Sequence, residues 1–326
     1  MGAGAVGAYF GGKLALAGAD VVFVARGDHL AALRADGLRI ENGAEERSAV
    51  DAAAPRAGAR STPVCHLTPV CTVADPAEAG RVDLILVGVK SYDTAVTADT
   101  LRAIVRPDTI VLSLQNGIEN EAILAAALGL PPLLGGLAHI GAELVAPGVV
   151  RHDSGGRIIF GEFDGRRSAR AERLAQLFST AGIAHHLSGH IAVMLWDKLS
   201  WNAAFNACTT VARRTVGDLL ARPDGRALVR AAMLEVVAVA NATGVPLDAA
   251  RVDPEIERSV AELGHLRTSM LQDRDRGRRL EHDALNGAVV RAADRTATPA
   301  PVNRVLYQLL EVLDRRARRP PAAPPP

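Results

Sequence analysis

The apolar positions of this chain change rhythm near residue 188. Before it, short continuous apolar runs recur at 21–25, 82–89 (VDLILVGV) and 109–114 (TIVLSL), the pattern of strands buried on both faces. Helical spacing fills 8–17 and 169–180 between such runs. Residues 38–41, 133–142 and 183–187 read as further strands, and 149–152 with 157–161 as the two arms of a hairpin. From Gly189 onward the strand pattern stops, and helices are predicted over 191–211, 225–243, 283–295 and 302–316. The alternation predicts an α/β domain over 1–188 and an all-helical domain over 189–317. Residues 52–63, rich in Ala, Pro, Gly and Arg, read as a surface loop or insertion. The tail 318–326, RRPPAAPPP, lacks the apolar side chains to pack and is expected to be disordered.

One helical stretch carries chemistry. Residues 194–206 read MLWDKLSWNAAFN, without Gly or Pro and with Leu195, Leu199 and Ala203 on one side. Each residue of a helix advances ~100°, so Lys198, Asn202 and Asn206 share an arc of roughly 80°. A solvated polar face is the plain alternative. Against it, Asn disfavours helix interiors because its side chain competes for backbone hydrogen bonds. Trp196, Trp201 and Phe205 in the same stretch also indicate burial. An ammonium in such a setting can donate a proton, and the two amides can hold a small polar molecule.

The chain opens with GAGAVG at 2–7, a G-x-G-x-x-G in which Ala5 and Val6 separate Gly4 from Gly7. Such a turn lets the backbone approach a pyrophosphate at a helix N-terminus. The motif is weak alone, but a helix and then a β-branched strand follow it, giving half of a βαβ unit. The strand that should precede it is missing, since only Met1 stands there. At the end of the 21–25 strand, Arg26 stands where an acid would otherwise hold the ribose hydroxyls of NAD, and so favours the 2′-phosphate of NADPH; Asp28 keeps NAD open. Lys90 and Asn116 follow apolar strands, at the carboxyl ends that face a ligand crevice in doubly wound sheets.

Composition narrows the field. The 326 residues suit two domains, 48% hydrophobic content is ample for their cores, and a net charge of +1 gives no reason to expect nucleic acid or membrane as partner. Three cysteines, Cys65, Cys71 and Cys208, fit a reducing compartment. Cys65 and His66 with Cys71 lack the second pair that a zinc site needs. No apolar run spans a bilayer and no secretory leader is apparent, so a cytoplasmic location is expected.

The motifs GAGAVGAYFGG, VARGDHL, VKSYDT, LQNGIEN, LWDKLSWNAAFN and SMLQDRDRGRRLEHDALNGAVVR, in this order over nearly the whole chain, resemble the ketopantoate reductases, NADPH-dependent 2-dehydropantoate 2-reductases. The resemblance implies a Rossmann-type domain followed by a helical domain of the 6-phosphogluconate dehydrogenase-like type, with substrate and nicotinamide in the cleft between them. It implies that Gly2, Gly4, Ala5, Val6 and Gly7 form the pyrophosphate loop, that Arg26 contacts the 2′-phosphate, and that Lys90, Asn116 and Ala142 lie near the cofactor. Asn116, Asn202, Asn206 and Ser269 would bind a small 2-oxo acid, Lys198 would be the general acid, and Glu281 a catalytic acid beside substrate and nicotinamide ribose. A homodimer is compatible with this reading.

Two features depart from the family pattern. Thr-Glu-Ile-Asp is usual around the glutamate, whereas Leu280-Glu281-His282-Asp283 stands here. The first strand is absent, so a chain beginning some six residues upstream of Met1 is expected. Two alternatives stay open: reduction of another branched 2-oxo acid or related carbonyl compound on the same fold, and a non-catalytic dinucleotide-binding protein.

Overall fold

The computed structural model describes residues 1–43, 63–131 and 133–314, with the backbone alone at 63 and 64. The chain forms two compact units. The first comprises Met1–Gln115 and Asn120–Ile191, and the second Asn116–Glu119 and the residues from Ala192 onward. The boundary falls after Ile191 rather than after Ser188, and the short excursion at Asn116–Glu119 is not apparent from the apolar pattern.

In the first unit, helix α1 (Ala5–Leu16) starts directly from the glycine turn and buries Ala8, Phe10 and Leu14. Strand β1 (Val22–Val24) follows, then helix α2 (Gly27–Asp36). Strands β2 (Leu38–Asn42), β3 (Pro63–Leu67) and β4 (Cys71–Val73) come next. Then come β5 (Leu84–Val87), helix α3 (Thr94–Leu101), β6 (Ile110–Ser113) and helix α4 (Asn120–Leu128). Strands β7 (Gly135–Ala146) and β8 (Val149–Gly161), helix α5 (Ala169–Thr180) and strand β9 (Ala184–Leu187) complete the unit.

Among the described residues β1 pairs in parallel only with β4, and β5 in parallel only with β6. Residues 1–3 bridge the two ladders. The Ala3 amide donates to Val24 O at 2.9 Å, the Met1 amine donates to Leu86 O at 2.8 Å, and the Gly88 amide donates to Met1 O at 2.9 Å. The start of the chain therefore lies extended between β1 and β5, where a doubly wound sheet has the strand that feeds its glycine turn. Burial pulls the Met1 ammonium down to about 6.

The larger sheet runs β3-β2-β8-β7, with β9 also against β8. Expectation and structure differ here. The predicted hairpin of 149–152 with 157–161 is one continuous strand, β8, paired antiparallel with β7. Asp153 to Gly156 look like a turn, but register shifts along the β7–β8 ladder absorb the glycines without breaking the pairing. Likewise Pro63, read as loop, is the first residue of β3, while 52–62 lie outside the described residues, as does the tail 318–326. Phe10, Leu38, Ile158, Phe160 and Phe178 are fully buried in this unit, and each such side chain contributes ~1.5–3 kcal/mol.

The second unit is helical: α6 (Ile191–Ala212), α7 (Val216–Leu220), α8 (Pro223–Ala242), α9 (Val252–Leu263), α10 (Ser269–Asp275), α11 (Ala288–Thr296) and α12 (Pro301–Asp314). The helix predicted over 283–295 begins instead with a π-helical turn, Asp283–Gly287, before α11. Polar groups fix the packing of α6, α8, the π-helical turn and α12. The Glu235 carboxylate accepts from the amides of Val302 and Asn303 at 2.8 and 2.9 Å, capping α12. Asn303 Nδ2 donates to Ala232 O, and Asn286 Nδ2 to Ala203 O and Asn303 Oδ1. No helix among the described residues is long and apolar enough to cross a membrane.

Candidate active site

The first unit holds the glycine turn. Gly4 is the N-cap of α1 and offers no side-chain cap, so the first-turn amides of the helix keep their donors for a ligand. A Cβ on Gly2, whose φ is +80°, would stand 2.5 Å from Val89 Cγ1, and one on Gly7 would stand 2.3 Å from Gly2 O. A Cβ on Gly4 would meet nothing within 4 Å. Two of the glycines thus close the turn tightly, and the third leaves open space before the helix N-terminus. This cradle fits a pyrophosphate.

Arg26 is exposed at the N-cap of α2, directly after β1, with Asp28 in the first helical turn. Lys90 follows β5 and is half-buried. Ala142 lies within β7, half-buried and packed against the first unit's core. After β5 and β6, the Thr94 hydroxyl lies within 2.9 Å of Ser91 O and Asn120 Oδ1, its one proton serving either, and accepts from Gln115 Nε2 at 2.8 Å. That network ties the turn after Lys90 to both flanks of the segment carrying Asn116.

The second unit holds the other predicted residues. Asn202 and Asn206 are buried on α6 in register with Lys198. Trp201 stacks on Phe205 with centroids 4.6 Å apart and donates from Nε1 to Ser259 Oγ at 3.1 Å, so the aromatics of this stretch do belong to the core. Asn206 Oδ1 is buried and accepts no hydrogen bond, and the Thr210 hydroxyl one turn further on is in the same state. Buried polar atoms left so are costly unless a ligand or water meets them.

The residue Lys198 is half-buried, but its ammonium end is enclosed. Burial pulls it from the ordinary 10.5 down to about 8, and the nearby Glu281 charge opposes that fall. Lys198 and Glu281, 83 positions apart, are therefore brought within electrostatic reach. Ser269 is exposed at the first position of α10. Its neighbour Thr268 caps that helix and hydrogen-bonds Thr209 of α6 at 2.8 Å, which fixes where Ser269 begins relative to the lysine helix.

The two departures around Glu281 point into their own unit. Leu280 is core, and His282 Nε2 lies 2.9 Å from Glu311 Oε1. One charged cluster was not predicted. Arg291 binds the Glu119 carboxylate with Nε and Nη2 at 3.2 and 2.6 Å, and binds Asp283 Oδ1 and O at 2.9 Å each. Nothing local in the sequence signals it, because Glu119 and Arg291 are 172 positions apart.

Two family models match the chain: ketopantoate reductase PanE/ApbA over residues 1–165, and its C-terminal counterpart over 190–314. The 2-dehydropantoate 2-reductase of Archaeoglobus fulgidus is 35% identical over 95% of both chains. That of Halobacterium salinarum is 33% identical over 97% of this chain and 98% of its own. A PanE/ApbA family ketopantoate reductase from Ralstonia eutropha superposes with a TM-score of 0.85 at 33% identity, covering 98% of each chain. A D-mandelate dehydrogenase shares the fold, with a TM-score of 0.84 at 23% identity over 96% of each chain. The chain thus belongs to the ketopantoate reductase family of oxidoreductases.

Proposed function

We propose that this protein reduces 2-dehydropantoate to pantoate with NADPH, Lys198 supplying the proton. The observation that carries the reading is the enclosed Lys198 ammonium, poised near 8 between burial and the Glu281 carboxylate on a helix that also presents Asn202 and Asn206. A group of that proton affinity is charged at neutral pH yet gives up its proton readily. The named relatives, 2-dehydropantoate 2-reductases matched along almost their whole length, support the substrate.

Hydride reduction of a 2-oxo acid places negative charge on the carbonyl oxygen. NADPH, when bound, supplies the hydride. The Lys198 ammonium polarises that oxygen and then protonates it, and the low-dielectric surroundings strengthen its pull. Glu281 keeps the lysine protonated. Asn202, Asn206 and Ser269 orient the hydroxyl and carboxylate ends, and the unpartnered Asn206 Oδ1 is suited to a hydroxyl donor. Gly2, Gly4, Ala5, Val6 and Gly7 would hold the pyrophosphate, Arg26 the 2′-phosphate, and Lys90, Asn116 and Ala142 would line the rest of the dinucleotide.

The test is turnover of Lys198→Ala with NADPH on a panel of branched 2-oxo acids. A general acid typically contributes ~10²–10⁴-fold, so turnover should fall by that factor while the NADPH dissociation constant stays within threefold. Near-parental turnover at saturating substrate would refute the role, and a better substrate than 2-dehydropantoate on the panel would redirect the assignment.

A further inference from the structure

We propose that Arg291 is a positioning residue, a clamp that holds the segment bearing Asn116 in register with the turn bearing Glu281. The inference rests on the proposed reading of Asn116 and Glu281 as site residues.

The clamp is built from several contacts that share one guanidinium. Glu119, three residues after Asn116, is held by Nε and Nη2 as a two-point pair. Asp283, two residues after Glu281, is held at its side chain by Nη1 and at its main-chain carbonyl by Nη2. Tyr307 Oη donates to the same Asp283 Oδ1 at 2.9 Å and so fixes the carboxylate from another side. An exposed ion pair alone contributes little. Here the planar fork joins two segments far apart in sequence, and its geometry allows little slack.

The turn is shaped to receive that fork. Asp283–Gly287 is a π-helical turn, whose extra residue per turn displaces backbone groups from their ordinary partners. Arg291 meets one of those carbonyls. Gly287 lies directly beneath: a Cβ there would stand 2.8 Å from Asp283 Oδ1, 3.0 Å from Tyr307 Cε2 and 3.1 Å from Arg291 Nη1. Glycine is thus the residue that lets the guanidinium settle over the turn. Neither Glu119 nor Arg291 needs to touch substrate for this to matter, because misplacing an orienting group by a fraction of an ångström lowers turnover steeply.

The experiment is hydrogen–deuterium exchange on the full chain, with kinetics alongside, for Arg291→Ala, Arg291→Lys and Glu119→Gln. The expected result in Arg291→Ala is exchange faster by at least about tenfold in peptides covering 116–119 and in those covering 281–287 together, with α8 and α12 unchanged. Turnover should fall by roughly 10- to 100-fold, with NADPH affinity within threefold. Arg291→Lys should recover part of that loss, and Glu119→Gln combined with Arg291→Ala should be no worse than Arg291→Ala alone. If Arg291→Ala does not fold, Glu119→Gln, which removes charge at one end of the clamp, must show the same paired loosening. Loosening of one segment or of neither overturns the clamp, and paired loosening with turnover within twofold overturns its positioning role. If the parent enzyme reduces no 2-oxo acid, the proposed function fails, while the exchange pattern still decides the clamp.

Discussion

Glu281 offsets part of what burial does to Lys198. The enclosed ammonium falls to about 8, and the carboxylate on the far side of the sequence is the charge that keeps it from falling further.

A pH dependence follows. Lys198 acts as an acid only while protonated, so turnover should decline as pH rises through about 8. Replacing Glu281 by Gln removes the supporting charge, and the declining limb should move to lower pH, so that the variant loses more activity at pH 8 than at pH 6. Stability runs the other way. The folded-state value lies below the ordinary 10.5, so the unfolded chain binds more protons between about 8 and 10.5 and stability rises with pH across that window. The penalty is present in full below about 8 and amounts to roughly 3 kcal/mol. Lys198→Met should therefore be inactive and should lose this rise in stability between about pH 8 and 10.5, as thermal unfolding at several pH values would reveal.

The glycine turn separates stability from binding. Gly7→Ala drives a methyl group against Gly2 O, 2.3 Å away, and should cost about 2 kcal/mol or more together with loss of dinucleotide binding. Gly4→Ala meets open space, so its melting temperature should stay near the parent's. The added methyl group occupies the cradle, and the NADPH dissociation constant should rise at least about tenfold. Equal effects of the two substitutions on melting would contradict this division.

Arg26 should set the cofactor preference. A charge-assisted contact to a phosphate contributes ~1.5–3 kcal/mol, which is roughly 10- to 100-fold in favour of NADPH over NADH. Arg26→Ala should remove most of that ratio by weakening NADPH and leaving NADH nearly unchanged. Competitive titration of both dinucleotides measures it directly.

What could be read from the residues was whatever a short period encodes. Lys198, Asn202 and Asn206 stand in register because a helix repeats, and the runs at 82–89 and 109–114 are strands because both of their faces are buried. The same logic misread Asp153 to Gly156 as a turn, since a bulge inside a long ladder has the composition of a loop. It also missed α9, whose Asp-Pro-Glu start and dense charges mask a buried stripe of Val252, Ile256 and Ser259. Pairings between distant positions, Glu119 with Arg291 or Thr94 with Gln115 and Asn120, leave no local periodicity to find. Lys198 was visible as a polar face, but its lowered proton affinity depends on Glu281, and no window of the chain contains both.

The brief membership of Asn116–Glu119 in the helical unit bears on how the enzyme could be taken apart. A cut near residue 190 would leave the first unit carrying four residues whose partners went with the other piece, among them Glu119 without Arg291. Neither fragment would be a fair sample of its half of the whole, and grafting this helical domain onto a foreign dinucleotide-binding domain would succeed only if those four residues travelled with it.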